Sequence, residues 1–239
     1  MPIFSSNFYL STAAFLMFFL GGVYFLGAWF ISSKKKLQYL YAAIALCSFL
    51  LFKIPNILLN AGVFVLQTKW YIFFFVTMLL HLLGYFLLTN LFIAYVRQPR
   101  QNRYRVAFKT IFVVLFTIAT AYFAASFISG GADTFAPVWK SHLLVFIPAE
   151  ICTFISLLLV LKYHLEHLKS KLPVYVALIS VIFLLLSSVM YILVQTGTPP
   201  MQFWYLWVIS AWSVSLVQYI AGGLLWSALY VLLPIYPKK

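Results

Sequence analysis

Charge in this chain is almost confined to short gaps between long apolar runs. That pattern leaves few folds open. Inside a bilayer every backbone N–H and C=O must be satisfied by the chain itself, so only helices and closed barrels can span it. The runs here stay apolar over about twenty residues, the length a helix needs to cross the hydrocarbon core. They lack the alternation of outer-membrane barrel strands. Composition agrees: 65% of residues are hydrophobic and 8% are charged, against about 45–50% and about 25% in soluble domains. In water such a chain lacks the polar groups to cover its own surface.

Seven runs can be drawn, at about 8–31, 37–59, 70–96, 106–129, 138–161, 173–195 and 203–232. The expected fold is an all-α integral membrane protein, a single seven-transmembrane-helix bundle over residues 1–239 with no soluble domain. Pro55 is expected to interrupt span 2, and Pro148 lies inside span 5. Pro173 suits the first turn of span 6, where its missing N–H would be unpaired anyway. Gly130-Gly-Ala-Asp-Thr134 and Thr196-Gly-Thr-Pro-Pro200 read as turns. Lys34, Lys35 and Lys36 follow span 1, and no cation precedes it. A cleavable signal peptide has the opposite charge order, so an uncleaved first helix is expected.

Orientation follows from the cations. Thirteen lie on one side, clustered at Lys34–Lys36, Arg97–Lys109, Lys162–Lys171 and Lys238–Lys239. Only Lys69 and Lys140 lie on the other, with Lys53 inside span 2. The positive-inside rule then predicts an outside N-terminus and a cytoplasmic C-terminus. Trp70, Trp139 and Trp204 each open a span on the outer side, as an aromatic belt would. The expected location is a plasma or inner membrane. The net charge of +13 points to anionic lipid headgroups at the cytoplasmic basic loops rather than to nucleic acid. Spans 1 and 5 share a direction and a basic exit, hinting at a three-plus-one-plus-three repeat, though no matching residues support it.

An ionisable side chain at the bilayer centre costs about 2.5–3.5 kcal/mol on insertion scales, so the exceptions are the candidate site. They are Lys53, His81 and Glu150. His81 is eleven residues past Trp70 and Glu150 eleven past Trp139. At the helical rise, each lies roughly 16 Å from the outer surface. Lys53 falls roughly 24 Å from the cytoplasmic face, in the outer third. Pro55 and Pro148 stand two residues from Lys53 and Glu150, and a charge beside a helix break is a common layout for an intramembrane site. Asn56 adds a polar group to the broken part of span 2, and Tyr85 shares a face with His81. The candidate ligand-binding set is thus His81, Glu150, Lys53, Asn56 and Tyr85. If spans 3 and 5 meet, His81 and Glu150 would share a proton and titrate as one unit. The plain alternative is that both act as hydrogen-bonding glue between helices, and that Lys53 snorkels outward.

No catalytic residue, metal site or cofactor is assigned. His164 and His167 share a helical face but lack further ligands nearby in sequence. A retinal Schiff base would need a lysine in the last span, and none occurs before Lys238. The Pro-Gln dipeptide of seven-helix sugar carriers is absent, as are phosphate-binding glycine loops and zinc or serine-hydrolase signatures. Cys47 and Cys152 read as small buried apolar residues. Three functions remain, in order of expectation. The first is a receptor or sensor-type module binding a small apolar ligand and signalling through a separate protein partner. The second is a proton-linked transporter built on Glu150 and His81. The third is a lipid-modifying enzyme, weakest because no nucleophile accompanies the histidine.

Overall fold

The computed structural model describes residues 6–32, 37–60, 68–94, 96, 100–128, 142–164, 171–196 and 204–233. These residues form seven α-helices and no strand. They are α1 (Ser6–Ile31), α2 (Leu37–Asn60), α3 (Thr68–Ile93), α4 (Arg100–Ile128), α5 (Ile147–His164), α6 (Leu172–Thr196) and α7 (Trp204–Leu232). A five-residue π-helical turn, His142–Phe146, leads into α5. Six of the helices are long and apolar enough to cross a membrane. Among the described residues, α2 adds a shorter apolar stretch, Leu37–Leu51. The described residues form an all-helical, multi-pass architecture suited to a lipid bilayer.

Two local expectations need correction, and the winding of span 5 adds a detail the sequence does not show. α2 runs on through Pro55 to Asn60, because a proline removes one rung of the ladder and the bonds resume on either side of it. α4 begins at Arg100 rather than 106, so residues 100–105 of the basic loop are helical. Arginine is a good helix former, and its long stem lets the charge reach water from a helix end. Span 5 is not one uniform α-helix. Pro148 cannot donate to the carbonyl one turn back, and immediately before it the winding is π.

The packing order closes on itself. α1 packs on α2, α2 on α3, α3 on α5, α5 on α6, α6 on α7, and α7 on α1. α4 stands outside this ring against α3 and the π turn. Its apolar flank faces outward at Val106, Ile111, Val113, Val114 and Ile118, as a lipid-contacting helix requires.

Helix directions follow from the residues that touch. On α1 and α7, Phe18 lies by Gly222, Gly21 by Trp226, and Tyr24 by Tyr230. Both numbers rise together, so these helices are parallel. α3 and α5 are parallel by the same test, as the site below shows. α1–α2–α3 and α5–α6–α7 are therefore two consecutive triplets that meet along two parallel seams. α4 is the single return between them.

Candidate functional site

The α3–α5 seam is polar. His81, Tyr85 and Thr89 stand at successive turns of α3 and face Phe146, Glu150 and Thr153. The His81 and Phe146 rings meet at 4.9 Å, nearly perpendicular. Tyr85 Oη donates to Glu150 Oε1 at 2.6 Å. Thr89 and Thr153 hydroxyls are 3.0 Å apart. Thr153 gives its proton to the Ala149 carbonyl, so Thr89 is the donor of that pair. Spacings of four on α3 and of four then three on α5 are those that stack side chains on one helical face.

α6 completes the site. Ser188 Oγ donates to the same Glu150 oxygen at 2.8 Å. Next to it, Ser187 Oγ donates to the Leu184 carbonyl and accepts a long contact from Gln218 Nε2 of α7 at 3.4 Å. Glu150 is 1% exposed. Its Oε1 takes two hydrogen bonds, while its buried Oε2 has no hydrogen-bond partner among the described residues. An ionised carboxylate has room for about four. The arrangement therefore holds one oxygen firmly and presents the other to a proton or an incoming donor.

An aromatic wall lies beside it. Phe49 of α2 touches His81 and Tyr85, each at 4.9 Å between ring centroids. His81 also meets Tyr85 edge-on at 5.0 Å. Gly84 lets Phe49 in: a Cβ there would stand 2.9 Å from the Phe49 ring and 3.2 Å from the Ala45 carbonyl.

Of the five candidate residues, three come together: His81, Tyr85 and Glu150. Lys53 and Asn56 lie on α2 with side chains outside the described residues. Within the trio the order differs from that expected from equal depth. Glu150 is level with Tyr85, and His81 is one turn away beside Phe146. Counting from Trp70 and Trp139 assumes that both start at one level, and a one-turn stagger is about 5.4 Å. Sequence reasoning missed Ser188, Thr89, Thr153, Phe49 and Phe146. The Ser187-Ser188 pair in an apolar span was the available signal for one of them. A serine hydroxyl can bond its own helix carbonyl, so it does not stand out as a charge does.

No protein-family model, curated protein or solved structure matches this chain.

Proposed function

We propose that the protein is a small proton-linked membrane transporter with Glu150 as its proton-carrying group. The observation that supports it most is the place of Glu150. It lies where the two helix triplets meet, bonded across the seam to Tyr85, just after a π turn and Pro148. Many transporters bind their substrate and coupling ion between structural repeats, at helices whose regular winding is broken. Rocking one triplet against the other would stretch the Tyr85–Glu150 bond and turn Oε2 towards one side or the other. The solute class that fits is small and carries a hydrogen-bond donor for Oε2 and an apolar face for Phe49, Phe146 and the His81 ring. Tyr85 holds the carboxyl in place, and His81 supports Tyr85 edge-on.

This reading includes seven crossings, an outside N-terminus and a cytoplasmic C-terminus. Reporters fused after Lys36, Arg103 or Lys169 should read as cytoplasmic, and those after Gln67 or Asp133 as external. An external signal at Arg103 would overturn the topology.

The functional test uses proteoliposomes carrying the full chain under an imposed pH gradient and a mixture of small metabolites, with uptake followed by mass spectrometry. Wild-type vesicles should accumulate at least one solute, and Glu150→Gln should abolish this while still folding. The chain has only three Asp and Glu residues, so infrared difference spectra between two pH values can be assigned to side chains. A carboxyl band lost in Glu150→Gln would identify the proton carrier. Equal uptake by the wild type and the variant would sink the proposal. A pH-dependent Glu150 band without any uptake would favour the sensor reading.

A further inference from the structure

A cavity lies away from Glu150. It has a volume of about 450 Å³ and sits where the start of α2, the end of α3 and the start of α4 come together. Its apolar lining includes Leu37, Phe86, Leu87 and Leu91. Gln38, Tyr41 and Asn90 add neutral polar groups, and Arg105 and Lys109 add two positive charges. No acidic residue is among its described lining residues. Arg105 and Lys109 are four apart on α4 and so share one face. Asn90 Nδ2 donates to the Phe86 carbonyl at 2.8 Å, which fixes its side chain along α3. Gln101 Nε2 donates to the Ala94 carbonyl at 3.2 Å and pins the start of α4 to the end of α3.

We infer that this cavity is a binding site for one anionic phospholipid, its phosphate on Arg105 and Lys109 and an acyl chain along Phe86 and Leu87. Three observations support that occupant. The first is charge. The chain has sixteen Lys and Arg against three Asp and Glu, so most cations have no carboxylate to pair with, and Glu150 is bonded elsewhere. The second is level. Leu37 opens α2, Ala94 follows the end of α3, and Arg105 and Lys109 lie in the second and third turns of α4. The cavity is thus at the helix ends, where headgroups lie when the helices span. The third is shape. A volume in the range of small-molecule sites, about 300–1,000 Å³, lined by apolar side chains together with two cations, fits an amphiphile better than a free anion. The inference rests on the bilayer environment and not on the transport reading.

The test is native mass spectrometry of the full chain in neutral detergent with equal phosphatidylglycerol and phosphatidylcholine. The wild type should retain one phosphatidylglycerol in preference to phosphatidylcholine. Arg105→Gln with Lys109→Gln should weaken that retention roughly 30-fold, the effect of two near-surface cations. Arg103→Gln changes an exposed cation on the same helix that does not line the cavity, and should leave retention unchanged. Ala94→Phe keeps every charge and fills space, and should also reduce retention. Lys109→Gln alone, at an exposed position, gives a well-folded variant if the double one fails, and should weaken binding several-fold. Equal losses for Arg103→Gln and Arg105→Gln would mean diffuse surface attraction and overturn the site. Displacement of the lipid by millimolar inorganic phosphate would also overturn it, by revealing a free-anion site.

Discussion

The two seams that join the helix triplets are built from opposite materials. Where α3 meets α5, hydroxyls and a carboxyl bond across the gap, in the Tyr85–Glu150 and Thr89–Thr153 pairs. Where α7 meets α1, glycines let rings come close: Gly222 faces Phe18, and Gly21 faces Trp226. The indole N–H of Trp226 is buried there with no hydrogen-bond partner among the described residues. Lipid gives no hydrophobic drive for helix association, so helices need either close packing or hydrogen bonds. The molecule uses one device at each seam. The glycine seam relies on close packing, and among its described contacts it has no carboxyl or imidazole to carry a proton. A polar seam is adhesive and chemically active at once, and this is why the candidate site is on one side only.

Substitutions can break that contrast. The largest effect is expected from Glu150→Leu, which leaves the Tyr85 and Ser188 hydroxyls without their acceptor. An unsatisfied buried group costs about 1–3 kcal/mol, so unfolding in mild detergent should show a loss of roughly 2–4 kcal/mol. Glu150→Gln keeps an acceptor and should lose much less. A Glu150→Leu variant as stable as the wild type would mean the polar seam does not hold the triplets together.

Gly21→Val probes the other seam. A Cβ at Gly21 would lie 2.9 Å from Leu46 and 3.1 Å from Trp226, so a branched side chain must push α1 from its neighbours. Overpacking of this kind costs about 1–3 kcal/mol, seen as a lower melting temperature with any Glu150-dependent transport intact. Loss of transport in a folded Gly21→Val protein would show instead that the two seams are mechanically coupled.

Thr89→Val should cost only about 0.6 kcal/mol, the average for an interhelical hydrogen bond in a membrane protein. Gly27→Ala is the smallest. Nothing lies within 4 Å of its Cβ position, so the helix should gain roughly 0.5–1 kcal/mol. A clear loss there would mean that α1 has a neighbour at Gly27.

The sequence revealed some of this and hid the rest, for physical reasons. Long apolar helices are legible because a bilayer demands about twenty apolar residues in a row, and the helices α1, α6 and α7 end within two residues of the apolar runs at 8–31, 173–195 and 203–232. Glu150 and His81 are legible because an ionisable group in an apolar run is costly and rare. The partner of Glu150 was not legible. Which of several hydroxyls meets it depends on the axial offset of α3 and α5, and helix packing sets that offset through residues such as Thr89 and Thr153. The hint of three plus one plus three rested on charge order alone. Contacts such as Phe18 with Gly222 show which helices are neighbours and do not test a repeat.

α4 bears on how the site gets assembled. α3 and α5 point the same way, yet a chain leaving one helix can enter its parallel neighbour only after travelling back along the bundle. α4 makes that journey, and it contributes no side chain to the polar contacts of Glu150. Its contribution is parity. Remove it, and α5 would be threaded in the reverse sense, with Glu150 still in the chain and Tyr85 still on α3 but their turns climbing in opposite directions. The one-to-one ladder of 81 with 146, 85 with 150 and 89 with 153 would then fail at every rung but one.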